Sequence, residues 1–328
     1  MPLKKNIVGH QTQRENCTVQ PVFIVAPVRS GSTLLHLMLD SHPDMVNPGE
    51  CDFLFDQLAD DGTLPDIKAF HEWLETNRFF LSMQLEIDPS LDFMALLNSF
   101  VQQMQQDKKT IVMNVHRHFY RIPRIFPEAK YIHLIRDGRD VARSCIGMGW
   151  AGSTYYGIDI WQDAELAWDR LKETIQPSQY LEIKYEEMLE DVEAGLTQIC
   201  QFAGLEYSPS MMDYAANSSY SLPDKSLSYQ WKKKYSKREL SLVESKAGKL
   251  LADRGYELSG VCISEPGLLE KIILFIQNKR HRAKKQIAVY GFPLFLKYYL
   301  SKKMGLYQWE RSLEIRANAA VAKVLNNS

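Results

Sequence analysis

The sequence predicts an α/β fold, a central parallel sheet covered by helices on both faces, followed by a C-terminal helical extension. Three observations predict it. Short β-rich apolar runs recur at 22–26 (VFIVA), Ile111–Val115, Tyr131–Ile135 and Tyr180–Ile183. Helical patterns lie between them at Phe93–Gln106, Asp140–Gly147, Asp163–Glu173 and Val192–Ala203. Strands that alternate with helices form a parallel sheet, because each crossover helix lays its apolar stripe on a sheet face. The third observation is a change of character after Gly260, where basic and apolar residues interleave.

In chain order, residues 1–20 are polar and have no apolar core of the kind a secretory signal carries, so they are expected to be a flexible N-terminal segment. The first apolar run leads through Pro27 and Gly31 into TLLHLMLDS, a helix expected over 33–41 and closed by His42-Pro43. Residues 217–235 have weak periodicity and many turn formers and read as an ordered loop or lid. Lys237–Asp253 is helical again, with Gly255 ending it. The expected organisation is therefore 1–20, a main α/β domain over 21–260, and a basic, mostly helical extension over 261–328.

Composition narrows the function classes. With 45% apolar residues in 328, the chain builds a real core, and its net charge of −1 creates no global field for nucleic acid. The five cysteines, Cys17, Cys51, Cys145, Cys200 and Cys262, are scattered and never spaced as CxxC. That pattern points to a reducing compartment, the cytoplasm, rather than to disulfides or zinc. No stretch approaches the roughly 18–20 uninterrupted apolar residues of a membrane span.

Two segments carry anion-binding chemistry. Pro27-Val28-Arg29-Ser30-Gly31-Ser32-Thr33 follows a strand and opens a helix. Helix N-terminal amides lack intrahelical partners, and the helix dipole adds positive charge, so together they hold an anionic oxygen. Gly31 permits close backbone approach, Ser32 and Thr33 add hydroxyls, and Arg29 adds a cationic fork. The GxxxxGK[ST] pattern of ATP-binding loops is absent, since Arg29 precedes the glycine and no lysine follows it. An ordinary capped turn is the plain alternative. In the second segment, KYIHLIRDGRDVARSCI (130–146), Arg136 ends a strand and Ser144 sits on the helix expected to start near Asp140. Here the plain alternative is a surface turn with Arg139 and Arg143 solvated.

Together the two segments resemble the 5'-phosphosulfate and 3'-phosphate motifs of the sulfotransferase superfamily. The family's first loop, Arg/Lys-Ser-Gly-Ser/Thr-Thr, corresponds to Arg29 through Thr33, and its Val/Ile-Arg-Asp/Asn-x-Arg/Lys with a later Ser corresponds to Ile135 through Arg139 and Ser144. The resemblance covers about residues 20–255 and is nearest to the branch of bacterial and tyrosylprotein sulfotransferases. It implies a P-loop-like three-layer fold and in-line transfer of a sulfuryl group from 3'-phosphoadenosine-5'-phosphosulfate to an acceptor hydroxyl or amine, without a metal. By the same resemblance, Arg29 with Ser30, Gly31, Ser32 and Thr33 serves the leaving phosphate, while Arg136 and Ser144 hold the 3'-phosphate. Tyr185, Trp231 and Lys232 fall where the family closes over the nucleotide. Glu50 matches the catalytic base of the tyrosylprotein branch. His116 stands where cytosolic members carry theirs, although Asn114 replaces the lysine of that motif; His118 is a third candidate. Phe53 replaces an arginine that the tyrosylprotein enzymes use on acidic peptides, which argues against that acceptor. The segment 147–157, rich in glycine and aromatics, is a candidate lining for the acceptor cleft.

From Lys271 to Trp309 there are nine Lys/Arg and no Asp or Glu. Such a segment suits either peripheral contact with an anionic membrane through residues 268–303 or a helical subdomain packed by its apolar face with the cations solvated. Two competing functions remain open at this level: a P-loop-type small-molecule kinase, and a non-catalytic membrane-associated scaffold.

Overall fold

A computed structural model describes residues 20–325. The flexible segment expected over 1–20 lies outside them, except for Gln20. Five strands, β1 (Val22–Val25), β2 (Met45–Val46), β3 (Thr110–Val115), β4 (Lys130–Ile135) and β5 (Tyr180–Lys184), form one sheet in the order β2-β3-β1-β4-β5. All pairings are parallel, and β1 runs centrally with Ile24 beside Asn114 on one side and Ile132 on the other. Because β3 and β4 flank β1, the chain crosses over β1 between them. In such a sheet a ligand crevice opens at the carboxyl end of the central strand.

Alternation along the strands sorts side chains into two cores. Val22 and Ile24 face α1 (Ser32–Asp40). Phe23 and Val25 face a group comprising α2 (Ile67–Leu74), α3 (Arg78–Met83) and α4 (Phe93–Gln105). A long helix, α6 (Thr154–Lys172), follows α5 (Gly138–Gly147) and adds Trp168 to this second core. After β5, α7 (Tyr185–Glu190) and α8 (Val192–Ala203) return to the α1 side. A short turn, α9 (Tyr214–Asn217), precedes the segment expected to be a lid, a second, α10 (Trp231–Lys234), lies within it, and α11 (Lys237–Asp253) packs on α5 and α6.

Three features differ from the sequence expectation. Helix α5 starts at Gly138, because the Asp137 side chain accepts from the Arg139 amide and caps it there. Helix α6 starts at Thr154 rather than near Asp163. A Cβ on Gly157 would sit 2.4 Å from the Ala142 carbonyl oxygen, so this glycine marks close crossing of two helices, not a loop. The third is how the extension packs, its helical character being as expected. It forms α12 (Leu268–Tyr290), α13 (Phe292–Met304) and α14 (Tyr307–Leu325). Helix α14 returns to α2, with Arg311 on Glu72 and Glu75 and Leu313 and Ala317 buried. Helix α12 docks by polar contacts: Asn278 Oδ1 accepts from the Gly152 amide at 2.7 Å, and the Lys285 ammonium donates to the Gly147 carbonyl at 2.9 Å. Those contacts cover the 147–152 turn.

Candidate active site

The first anion loop arches off the carboxyl end of β1. Arg29 (φ 70°) and Gly31 (φ 94°) both take left-handed backbone, and no side chain caps the first turn of α1. The first-turn amides are thereby left for a ligand. A Cβ on Gly31 would lie 2.3 Å from Cε2 of Tyr185, so the ring of Tyr185 forms the floor of the loop. Ser30 is buried, and its hydroxyl has no partner. A buried hydroxyl without a partner is costly unless a ligand satisfies it.

The second segment reaches into the first. Arg136, at the end of β4, donates from Nη1 to the Arg29 carbonyl at 3.0 Å and from Nη2 to the Leu227 carbonyl at 2.9 Å. Its guanidinium carbon lies 4.5 Å from the Tyr185 ring centroid, and its Nε is buried without a partner. Arg29 in turn donates from Nε to Ser144 Oγ at 3.0 Å. Residues 107 and 115 positions apart thus converge on one crevice. Arg29, Gly31, Arg136, Ser144 and Tyr185 meet, and Ser32 and Thr33 extend the site along the first turn of α1.

Beneath this crevice lies a buried ionic scaffold. Arg139 is 1% exposed and bridges Asp137 and Glu244, with Nη2–Oδ2 at 2.8 Å and Nη1–Oε1 at 2.9 Å. It is not the solvated surface cation of the plain reading. Trp231 donates its indole N–H to Asp137 at 2.8 Å and stacks over the Arg139 guanidinium at 3.6 Å. Its amide and that of Gln230 bind the Asp140 carboxylate. Trp231 is thus turned inward and pins the lid segment to α5. Lys232 stands exposed beside it, with its ammonium 5.0 Å from the Tyr229 ring.

Glu50 and His116, two of the alternative bases, are neighbours. Glu50 is held against β3 by a bridge to Asn114, whose amide donates to the Gly49 carbonyl and whose carbonyl accepts from the Cys51 amide. The His116 Nε2 lies 3.9 Å from Glu50 Oε1. His116 Nδ1 is 2.9 Å from the Ala26 carbonyl oxygen. A carbonyl only accepts, so Nδ1 carries the proton and Nε2 faces Glu50. The buried Asp52 carboxylate fixes the turn by accepting from the amides of His116 and Arg117 at 2.9 and 3.1 Å. Arg117 pairs with Asp56, and His118 turns away toward Tyr120, where burial and Arg121 lower its pKa. Sequence reading missed Asp52, which lies 64 positions from His116 and carries no local signal of that partnership. The expected acceptor lining at 147–157 divides between the turn under α12 and the first turn of α6.

Residues 21–209 match the Sulfotransferase family. The chain belongs to the sulfotransferase family. It is 27% identical over 179 residues to the omega-hydroxy-beta-dihydromenaquinone-9 sulfotransferase Stf3 of Mycobacterium bovis and Mycobacterium tuberculosis, an alignment that covers 48% of this chain and 44% of the relative. To the chicken (Gallus gallus) protein-tyrosine sulfotransferase 2 it is 25% identical over 232 residues, 63% of this chain and 57% of that one. The chain therefore spans about half the length of these curated relatives. The sulfotransferase domain from the curacin biosynthetic pathway has the same fold, with a TM-score of 0.53 and 20% identity over 73% of this chain and 99% of that one. The family as a whole uses 3'-phosphoadenosine-5'-phosphosulfate, and the orphaned Ser30 hydroxyl, the unpartnered Arg136 Nε and the uncapped α1 amides fit such a polyanion.

Proposed function

We propose that this sulfotransferase transfers a sulfuryl group from 3'-phosphoadenosine-5'-phosphosulfate to an acceptor hydroxyl, acting in the cytoplasm. The observation that carries the reading is the mutual reach of the two anion segments, Arg29 onto Ser144 and Arg136 onto the Arg29 backbone. The donor, when bound, supplies an activated sulfuryl group on a phosphate leaving group. Negative charge then grows on that phosphate, and stabilising it needs donors already in place. Arg29 and the amides of Gly31, Ser32 and Thr33 supply them, with Ser30 as a further hydroxyl. Arg136 and Ser144 hold the 3'-phosphate, and Tyr185 packs below. Lys232 closes the nucleotide end from the lid segment, which the inward-turned Trp231 ties to α5.

Glu50 takes the acceptor proton, with His116 as its partner. The Ala26 carbonyl keeps the unprotonated His116 Nε2 on the Glu50 side, which supports either group as the proton acceptor. The names of both curated relatives specify hydroxyl acceptors, one on a menaquinone and one on protein tyrosine, which favours a hydroxyl over an amine here. Phe53, fully buried in the core, offers nothing to an acidic peptide.

The test is calorimetric titration of the chain with 3'-phosphoadenosine-5'-phosphate against ADP, both in EDTA. Binding of the first at least tenfold tighter than the second supports the reading. Equal or absent binding overturns it, and metal-dependent ADP binding would favour a kinase.

A further inference from the structure

Helix α12 presents most of its large apolar residues outward. Its buried residues are Leu274 and Asn278, and His281 and Lys285 reach the Ile146 and Gly147 carbonyls from the same side. With 3.6 residues per turn these four share one face. Leu268, Leu269, Ile272, Ile273 and Ile276 fall on the opposite side with Phe275 at its margin, and their exposures run from 48% to 77%. Lys279, Arg280 and Lys284 continue that outer side toward the C-terminal end of the helix, and all three are exposed. Helix α13 adds exposed Phe292, Leu296, Tyr299 and Leu300 with Lys297 among them. No Asp or Glu occurs between Lys271 and Trp309. No helix of the described residues is long and apolar enough to cross a membrane.

We propose that the outer face of α12 and α13 docks on the surface of an anionic lipid bilayer. A large exposed apolar patch marks an interaction surface. Charge decides which one: a patch collared by cations and free of carboxylates complements anionic headgroups, whereas the same patch on a second copy would bring cations against cations. The apolar half of α12 lies beside the start of α11, where Arg238 pairs with Glu270, and this is next to the lid that Trp231 anchors. Helix α12 thus joins the main fold next to that segment. The consequence that the acceptor itself sits in or on the bilayer rests on the sulfuryl-transfer reading; the docking does not.

The test uses the full chain in co-sedimentation with large vesicles of phosphatidylcholine alone or with 30% phosphatidylglycerol. The expected result is pelleting with the anionic vesicles, at least tenfold weaker with neutral ones and weakened by 0.5 M salt. Ile273→Glu with Phe275→Glu should abolish it, and Lys279→Glu with Arg280→Glu should reduce it tenfold or more. Both variants are to be titrated with 3'-phosphoadenosine-5'-phosphate, whose affinity should be unchanged and which reports an intact fold and donor site. No pelleting of the wild type overturns the proposal. So does a concentration-dependent dimer in sedimentation velocity that Ile273→Glu/Phe275→Glu dissociates without any vesicle binding, since that makes the face a self-association surface. Vesicle binding with no affinity for the nucleotide would leave the docking standing and sink the donor-site reading instead.

Discussion

At the scale of single residues, Arg29 and Ser30 follow the carboxyl end of β1, and Glu50 and His116 lie at that of β3. Arg29 is the group expected to meet the growing charge on the leaving phosphate. Its replacement, Arg29→Ala, should lower kcat by about 10²–10³-fold, the range for losing one preorganised donor. Glu50→Gln should lose turnover while keeping nucleotide affinity, and His116→Asn should retain part of it. The reverse ranking in steady-state assays would make His116 the base and Glu50 its orienting partner. The pairing of these two was not legible in the sequence. Each stood out only as an alternative, because the bridge from Glu50 to Asn114 and the Asp52 clamp join segments far apart in the chain.

At the scale of elements, the Arg-Asp-Gly-Arg turn divides its labour. Arg136 faces the crevice, while Asp137 and Arg139 turn inward and tie α5 to α11 and to Trp231. Both carboxylates beside Arg139 are buried. Removing the cation leaves both buried carboxylates without their counter-charge, a loss of about 3–5 kcal/mol. Arg139→Met should therefore lower the denaturant midpoint sharply, and a midpoint within experimental error of the wild type would show that the pairing adds nothing. The sequence motif names both arginines, yet their burial differs because one strand ends where the cap of the next helix begins.

At the scale of the whole molecule, a second buried ionic group couples the sheet to the helices. His133 on β4 lies 3.3 Å from Glu165 of α6 and 3.5 Å from Glu182 of β5, with Trp168 stacked on its ring. Arg254, after α11, closes on Glu165 at 2.6 Å. Burial opposes a charge on His133, but Glu165 and Glu182 outweigh it and raise its pKa. The neighbouring imidazole, with Lys172 and Trp168, holds Glu182 down at about 2. Because the His133 value is raised, its contribution is fully present below the unfolded value of about 6.5 and is lost as pH rises through the folded value. The Glu182 contribution has the opposite sign, present above its ordinary 4.5 and lost as pH falls toward 2. Thermal unfolding should show Tm falling as pH rises above 6.5, and His133→Gln should flatten that slope. Superimposable profiles for the two proteins would mean that His133 is neutral in the folded state.

The sequence by itself determined the parallel α/β architecture, the two anion segments and the family, because these rest on local signals: strand and helix periods, glycine turns, and an arginine at a strand end. It also marked the basic, apolar extension. Only the tertiary structure decided which side chains meet. It turned Trp231 and Arg139 inward, set Glu50 beside His116, and brought Gly157 of α6 against Ala142 of α5. It also decided that α12 is held by polar contacts to the 146–152 turn, leaving the apolar side facing out. The physical reason is the same in each case. Period and propensity act over a few residues, whereas a buried charge or an exposed apolar face depends on which distant segment packs against it.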